Sequence, residues 1–143
     1  MADLERSASA VWQGTLKEGS GKLSAASGTF KDTPYSWAMR FTDPAGTNPE
    51  ELLAAAHAGC YTMQLSNLLT QKEAKIDNIE TKAVVFMTSA PPRKITHIKL
   101  TVRAKVSGVD AATFKALAED AKANCPVSVA LSNVPMELDA ALE

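Results

Sequence analysis

The run Thr47-Asn48-Pro49-Glu50-Glu51-Leu52-Leu53-Ala54-Ala55-Ala56-His57-Ala58-Gly59-Cys60 constrains this chain more than any other segment. Asn48 suits an N-cap and Pro49 the first helical position. Glu51 completes an Asn-x-x-Glu variant of the capping box. Nothing stops the helix before Gln71-Lys72-Glu73, and its middle is small or apolar around most of the circumference. That pattern predicts a buried helix rather than a surface one. Gly59 costs about 1 kcal/mol relative to alanine inside a helix. Either something packs closely there or room is kept beside Cys60.

The flanking segments read as strands, turns and two further helices. Ala8–Gln13 and Lys22–Ala25 are short strand candidates, separated by a hairpin turn at Lys17-Glu18-Gly19-Ser20-Gly21. From Tyr35 to Thr42 the chain alternates: Tyr35, Trp37, Met39 and Phe41 share one face, with Arg40 on the other, until Asp43-Pro44-Ala45-Gly46 breaks the strand. Ile79–Met87 and Ile98–Val106 follow as strands around a turn at Ala90-Pro91-Pro92-Arg93. Ile98, Leu100, Val102, Ala104 and Val106 form the clearest half-buried face in the chain. Asp110 should cap a second helix that buries Phe114, Leu117, Ala118 and Ala121, with Val109 and Phe114 as a hydrophobic staple, and that ends near Asn124. Pro126 starts a short third helix, and Val134, Met136 and Leu138 alternate as a last strand. The order β-β-β-α-β-β-α-α-β predicts an α+β fold with a mostly antiparallel sheet and helices on one face. No internal linker interrupts it, so residues 1–143 are expected to form a single domain.

Composition closes several doors. A chain of 143 residues is long enough to bury a sizeable core. Its net charge of -1 comes from interspersed signs, which argues against nucleic-acid binding through clustered cations. No apolar run approaches the roughly 20 residues that cross a bilayer, and the start lacks the basic-then-apolar order of a secretion signal. The expected compartment is the reducing cytoplasm, where a lasting structural disulfide is rare. Neither a Gly-rich phosphate loop nor a dinucleotide fingerprint is present, and no cofactor is implied.

The chain holds two cysteines, Cys60 within the long helix and Cys125 in Asn124-Cys125-Pro126. Each occupies a chemically distinctive place, which suggests a thiol pair that reacts. The thiolate is the nucleophile, and a free thiol with a pKa near 8.5 is only about 3% ionised at pH 7. A helix start offers about 0.3–1 kcal/mol, whereas a guanidinium about 4 Å away offers roughly 4 kcal/mol gross. Local position alone therefore favours Cys125 as the attacker, and an arginine beside Cys60 would reverse that. Arg40 is the candidate. Glu50 could grip it in a bidentate fork. The same pattern also fits a solvated strand charge for Arg40 and a simple dipole partner for Glu50.

Gly46-Thr47-Asn48-Pro49-Glu50-Glu51-Leu52-Leu53, with Ala55-Ala56-His57-Ala58-Gly59-Cys60, closely resembles the signature helix of the osmotically inducible protein C and organic hydroperoxide resistance (OsmC/Ohr) family. Pro34-Tyr35-Ser36-Trp37 leading to Arg40-Phe41 resembles the arginine-bearing strand of the OsmC branch, and Cys125-Pro126-Val127-Ser128 resembles the second-cysteine motif. His57 and the Asp110-Ala111-Ala112-Thr113-Phe114 helix start also point to that branch. The resemblance spans essentially the whole chain. It implies an intertwined homodimer with a long central helix bearing Cys60, and active sites that include residues from both subunits. It further implies a thiol peroxidase for organic hydroperoxides, and less selectively hydrogen peroxide, in oxidative or osmotic stress defence. Cys60 matches the peroxidatic cysteine, Cys125 the resolving one, and Arg40 and Glu50 the activating pair. The partner implied is a dithiol reductant, with lipoylated proteins serving the organic-hydroperoxide branch.

Two other classes remain. His57-x-x-Cys60 with His97 and Cys125 supplies four ligands for a tetrahedral zinc site, without clustered spacing for the second pair. A non-catalytic carrier of a hydrophobic ligand would use both thiols as small core residues.

Overall fold

The protein, described by a computed structural model, is defined for residues 2–43 and 45–143. It divides into two compact units, Met1–Leu52 and Leu53–Glu143. The Pro44 part of the expected strand break lies outside the described residues.

In the first unit, β1 (Ala8–Gln13), β2 (Ser20–Ala25) and β3 (Thr33–Tyr35) form an antiparallel sheet in that order. The β1–β2 turn occupies Gly14–Gly19, with Gly14 at φ 91° and the Gly19 N–H donating to the Thr15 carbonyl at 2.8 Å. Ser20 and Gly21, expected in the turn, belong to β2. Gly21 is buried between the Trp12 and Tyr35 rings, where a Cβ would clash with both.

The expected Tyr35–Thr42 strand is not formed. It ends at Tyr35, and Trp37–Phe41 is a short helix, α1. Ser36 sets this outcome, because its hydroxyl accepts from the Met39 N–H at 3.2 Å and caps the turn. Trp37 and Phe41 then meet at i, i+4 spacing, with ring centroids 5.3 Å apart. Arg40 therefore stands in the last turn of a helix.

Helix α2 runs Pro49–Gln71. Asn48 Oδ1 accepts from the Glu51 N–H at 2.8 Å, so the N-cap forms as the sequence predicts. Glu51 Oε1 accepts instead from the Thr47 hydroxyl at 3.0 Å. The helix is less enveloped than its composition predicts. His57, Tyr61, Leu65 and Leu69 make one buried row at i, i+4 spacing, while Ala55, Ala56, Gly59 and Met63 are exposed. A Cβ on Gly59 would meet nothing within 4 Å, so none of the described residues packs closely there.

In the second unit, β4 (Lys75–Met87) pairs antiparallel with β5 (Ile95–Ser107), and β6 (Met136–Leu142) pairs parallel with β5. Ile98, Leu100, Val102 and Ala104 of β5 have no exposed surface and join α2's buried row in the core. Helix α3 (Ala111–Asn124) adds Phe114, Ala118 and Ala121. Asp110 caps it through the Thr113 N–H at 2.7 Å, and the hydrogen bond to Thr113 lowers the Asp110 carboxyl below its usual range. Tyr61 Oη donates to the Ala118 carbonyl at 3.0 Å, tying α2 to α3. Burial raises the Tyr61 phenol above its ordinary value. Helix α4 (Pro126–Ala130) then starts directly after α3. The two helices put Cys125 between them, opposite the α2 row that carries His57 and Tyr61.

Candidate functional site

The four expected site residues form two pairs, one in each unit. In the first unit, Arg40 Nε lies 3.2 and 3.1 Å from Glu50 Oε1 and Oε2, and Nη2 lies 2.5 Å from Oε1. Two guanidinium nitrogens thus engage one carboxylate, which fixes the plane as well as the charge. α1 presents Arg40 and the first turn of α2 presents Glu50. Asn48 Nδ2 donates to the Met39 carbonyl at 3.4 Å and ties the end of α1 to the start of α2. The pair is partly exposed, at 39% for the Arg40 side chain and 14% for Glu50, so its stabilising effect is small. Beside it lies a cavity of about 270 Å³ lined by Trp12, Tyr35, Trp37, Phe41 and Arg40.

In the second unit, Cys60 is half-buried on α2 and Cys125 is fully buried as the N-cap of α4. Both thiols are free. Cys60 stands near enough to the Cys125 thiol and the Val127 amide for both to act on its ionisation. Burial pushes the Cys60 thiol up, the Val127 amide opposes this, and the hydrogen bond and charge of Cys125 raise it further. Cys125 sits at the helix start that local sequence favours for an attacking thiol, but with no exposed surface it offers a dissolved substrate no approach. Cys60 does.

Two further residues join this cluster: His57, which the sequence places near the site as a hydrogen-bonded helix residue, and Ser128, to which it gives no role. Ser128 Oγ lies 3.3 Å from Cys125 Sγ, and the Ser128 N–H donates to that sulfur at 3.4 Å. His57 Nε2 lies 2.8 Å from the same Ser128 Oγ. His57 is fully buried, and its Nδ1 has no hydrogen-bond partner among the described residues. An unpaired buried nitrogen costs about 1–3 kcal/mol, which makes His57 expensive as a core residue alone. Burial holds its pKa below the ordinary value. Both residues stood in quoted motifs, His57-x-x-Cys60 and Cys125-x-x-Ser128, but only the tertiary fold joins the two.

His97 does not join them. It stacks on Phe86 with centroids 4.0 Å apart, and its Nδ1 is 3.1 Å from the Thr96 hydroxyl. Among the described residues, no three His, Cys, Asp or Glu side chains gather as metal ligands, and no helix is long and apolar enough to cross a membrane.

Comparison with known proteins agrees on one family. Residues 42–139 match the family described as OsmC-like protein. The peroxiredoxin OsmC of Escherichia coli is 40% identical over 129 residues, covering 90% of each chain. The organic hydroperoxide resistance protein OhrA of Bacillus subtilis is 31% identical over 96 residues, covering 66% of this chain and 67% of its own. Among solved structures, an organic hydroperoxide resistance protein from Elizabethkingia anophelis superposes with a TM-score of 0.77 at 20% identity and covers 100% of both chains. OhrB of Bacillus subtilis gives 0.70 at 24% identity, covering 94% of this chain and 97% of its own. At those identities the structures speak for the fold.

Proposed function

The chain belongs to the OsmC-like family, and on that footing we propose that it is a cysteine-based peroxidase for organic hydroperoxides, and less selectively for hydrogen peroxide. The observation that carries this reading is a pair of free thiols of unequal access, Cys60 half-buried and Cys125 enclosed, with Cys125 near enough to act on the ionisation of Cys60. Cys60 attacks the distal peroxide oxygen, the O–O bond breaks, and the alkoxide leaves with a proton as alcohol. The resulting Cys60 sulfenic acid condenses with Cys125 to a disulfide and water, and a dithiol reductant reopens it. A lipoylated protein fits that chemistry.

Burial leaves Cys60 poor in thiolate, so activation calls for a cation. We assign that role to Arg40, oriented by Glu50, and give the same guanidinium the task of stabilising charge on the leaving oxygen. The aromatic-lined cavity beside Arg40 suits an alkyl or aryl group, which favours organic hydroperoxides over hydrogen peroxide. The functional form is a homodimer in which each active site draws on both subunits. Support comes from the exposed Ala55, Ala56, Gly59 and Met63 on α2, an apolar surface suited to a second copy. Sedimentation should give a dimer at micromolar concentration, and a stable folded monomer would contradict this. Residues 1–143 act as one domain, in the cytoplasm, where a reductant supply can keep the pair cycling.

Thiol titration after adding cumene hydroperoxide, with and without dihydrolipoamide, tests the reading. Both thiols should disappear with one equivalent of peroxide and return with the dithiol. Thiols that survive the peroxide would make the protein a carrier of hydrophobic ligands with structural cysteines.

A further inference from the structure

Disulfide closure requires Cys125 to lose a proton as its sulfur attacks Cys60. Cys125 has no exposed surface, so that proton has no direct route to bulk water. Its sulfur lies 3.3 Å from Ser128 Oγ, which lies 2.8 Å from His57 Nε2. Ser128 is 4% exposed and His57 not at all, so the three form an enclosed line of proton-carrying atoms. His57 Nδ1 makes no hydrogen bond among the described residues, so no second partner locks the ring in one tautomer. His57 also stands three residues before Cys60 on α2, one helical turn from the sulfur that is attacked.

We infer that Ser128 and His57 form a proton relay for the resolving step, in which Cys125 Sγ–H gives its proton to Ser128 Oγ while Ser128 passes its own to His57 Nε2. The inference rests on the peroxidase reading above. In the step, the Cys125 S–H bond breaks and the freed electron pair forms the S–S bond to Cys60. The Cys60 S–O bond breaks and hydroxide departs. His57 then releases the proton, which neutralises that hydroxide, so the net products are disulfide and water. The hydroperoxide has already supplied the oxidising equivalents, and no further oxidant is needed. Burial keeps His57 neutral near pH 7, so the ring enters the step able to accept a proton and does not retain it. Ser128 touches the reacting sulfur. His57 acts through it as a positioning and relaying residue.

The test separates the two half-reactions. One equivalent of cumene hydroperoxide is mixed with wild type, His57→Gln and Ser128→Ala. Peroxide loss reports attack by Cys60, and quenched samples analysed by mass report disulfide closure. Glutamine can keep a hydrogen bond to Ser128 but cannot take up a proton, so it distinguishes a relay from a merely structural ring. General-base catalysis is typically worth about 10²–10⁴-fold, so closure should slow by at least about tenfold in both variants. Loss of the first peroxide equivalent should stay near the wild-type rate. Closure at the wild-type rate in H57Q overturns the relay. Should H57Q fail to fold by circular dichroism, S128A, which removes one oxygen, decides by the same split. If wild type consumes no peroxide, the peroxidase reading fails and takes the relay with it. If it consumes peroxide but forms no Cys60–Cys125 disulfide, Cys125 is not the resolving thiol and the relay fails while the peroxidase reading stands. If wild type closes and the variants close as fast, the relay alone fails.

Discussion

Replacing His57 with leucine should leave the protein at least as stable as wild type, although the imidazole is fully buried. The side chain makes one hydrogen bond, 2.8 Å to Ser128 Oγ, and leaves Nδ1 unpaired among the described residues. A buried unpaired nitrogen costs about 1–3 kcal/mol, and a buried hydrogen bond returns about 0.5–1.5 kcal/mol net. Leucine removes both, and Ser128 Oγ keeps Cys125 Sγ at 3.3 Å as a partner. The balance centres on a gain of about 1 kcal/mol. With a urea m-value of about 2 kcal/mol/M, that is a midpoint shift of about 0.5 M. The gain should grow in acid. The folded-state pKa of His57 lies below the roughly 6.5 of the unfolded chain, so as pH falls past about 6.5 the unfolded chain binds a proton that the folded one does not. Wild type therefore loses stability there, and the leucine variant is spared this loss. Urea denaturation followed by circular dichroism at neutral and mildly acidic pH, at fixed protein concentration, measures both effects. A midpoint below that of wild type would refute the reasoning, because it would mean that Nδ1 is paired in solution.

Arg40→Lys should be nearly as damaging to peroxidase activity as Arg40→Ala, by about 10–100-fold, since lysine keeps the charge but loses the planar fork that engages Glu50. The pH dependence of Cys60 alkylation should move upward in both, and an unshifted profile in Arg40→Ala would remove Arg40 from the mechanism. Cys125→Ser should still consume about one equivalent of hydroperoxide per Cys60 and then stall as sulfenic or sulfinic acid. Continued turnover with dithiol at the wild-type rate would show that Cys125 is not the resolving thiol.

Signals that act over a few residues were legible in the sequence. The Asn48 and Asp110 caps, Pro49 and Pro126 at helix starts, and the alternation of β5 all stand where the residues place them. Tyr35–Thr42 misled because a period of two and an i, i+4 aromatic pair coexist there, and the Ser36 cap decides for the helix. The parallel β5–β6 pairing follows from the connection, since α3 and α4 carry the chain back across the sheet before β6 begins. Composition alone overstated the burial of α2, because alanine and glycine are compatible with either environment, and Met63 is 76% exposed. Contacts between distant segments were the least legible. His57 meets Ser128 across 71 residues of chain, and no local pattern encodes that meeting.

The central step is the bond between the two thiols. Wild-type protein treated with one equivalent of organic hydroperoxide, digested without reduction and analysed by mass spectrometry, should yield the Cys60 and Cys125 peptides joined, with a mass lower by about two protons. Cys60 recovered as sulfenic or sulfinic acid beside an untouched Cys125 would contradict it, and an outside thiol would then have to resolve the oxidised cysteine.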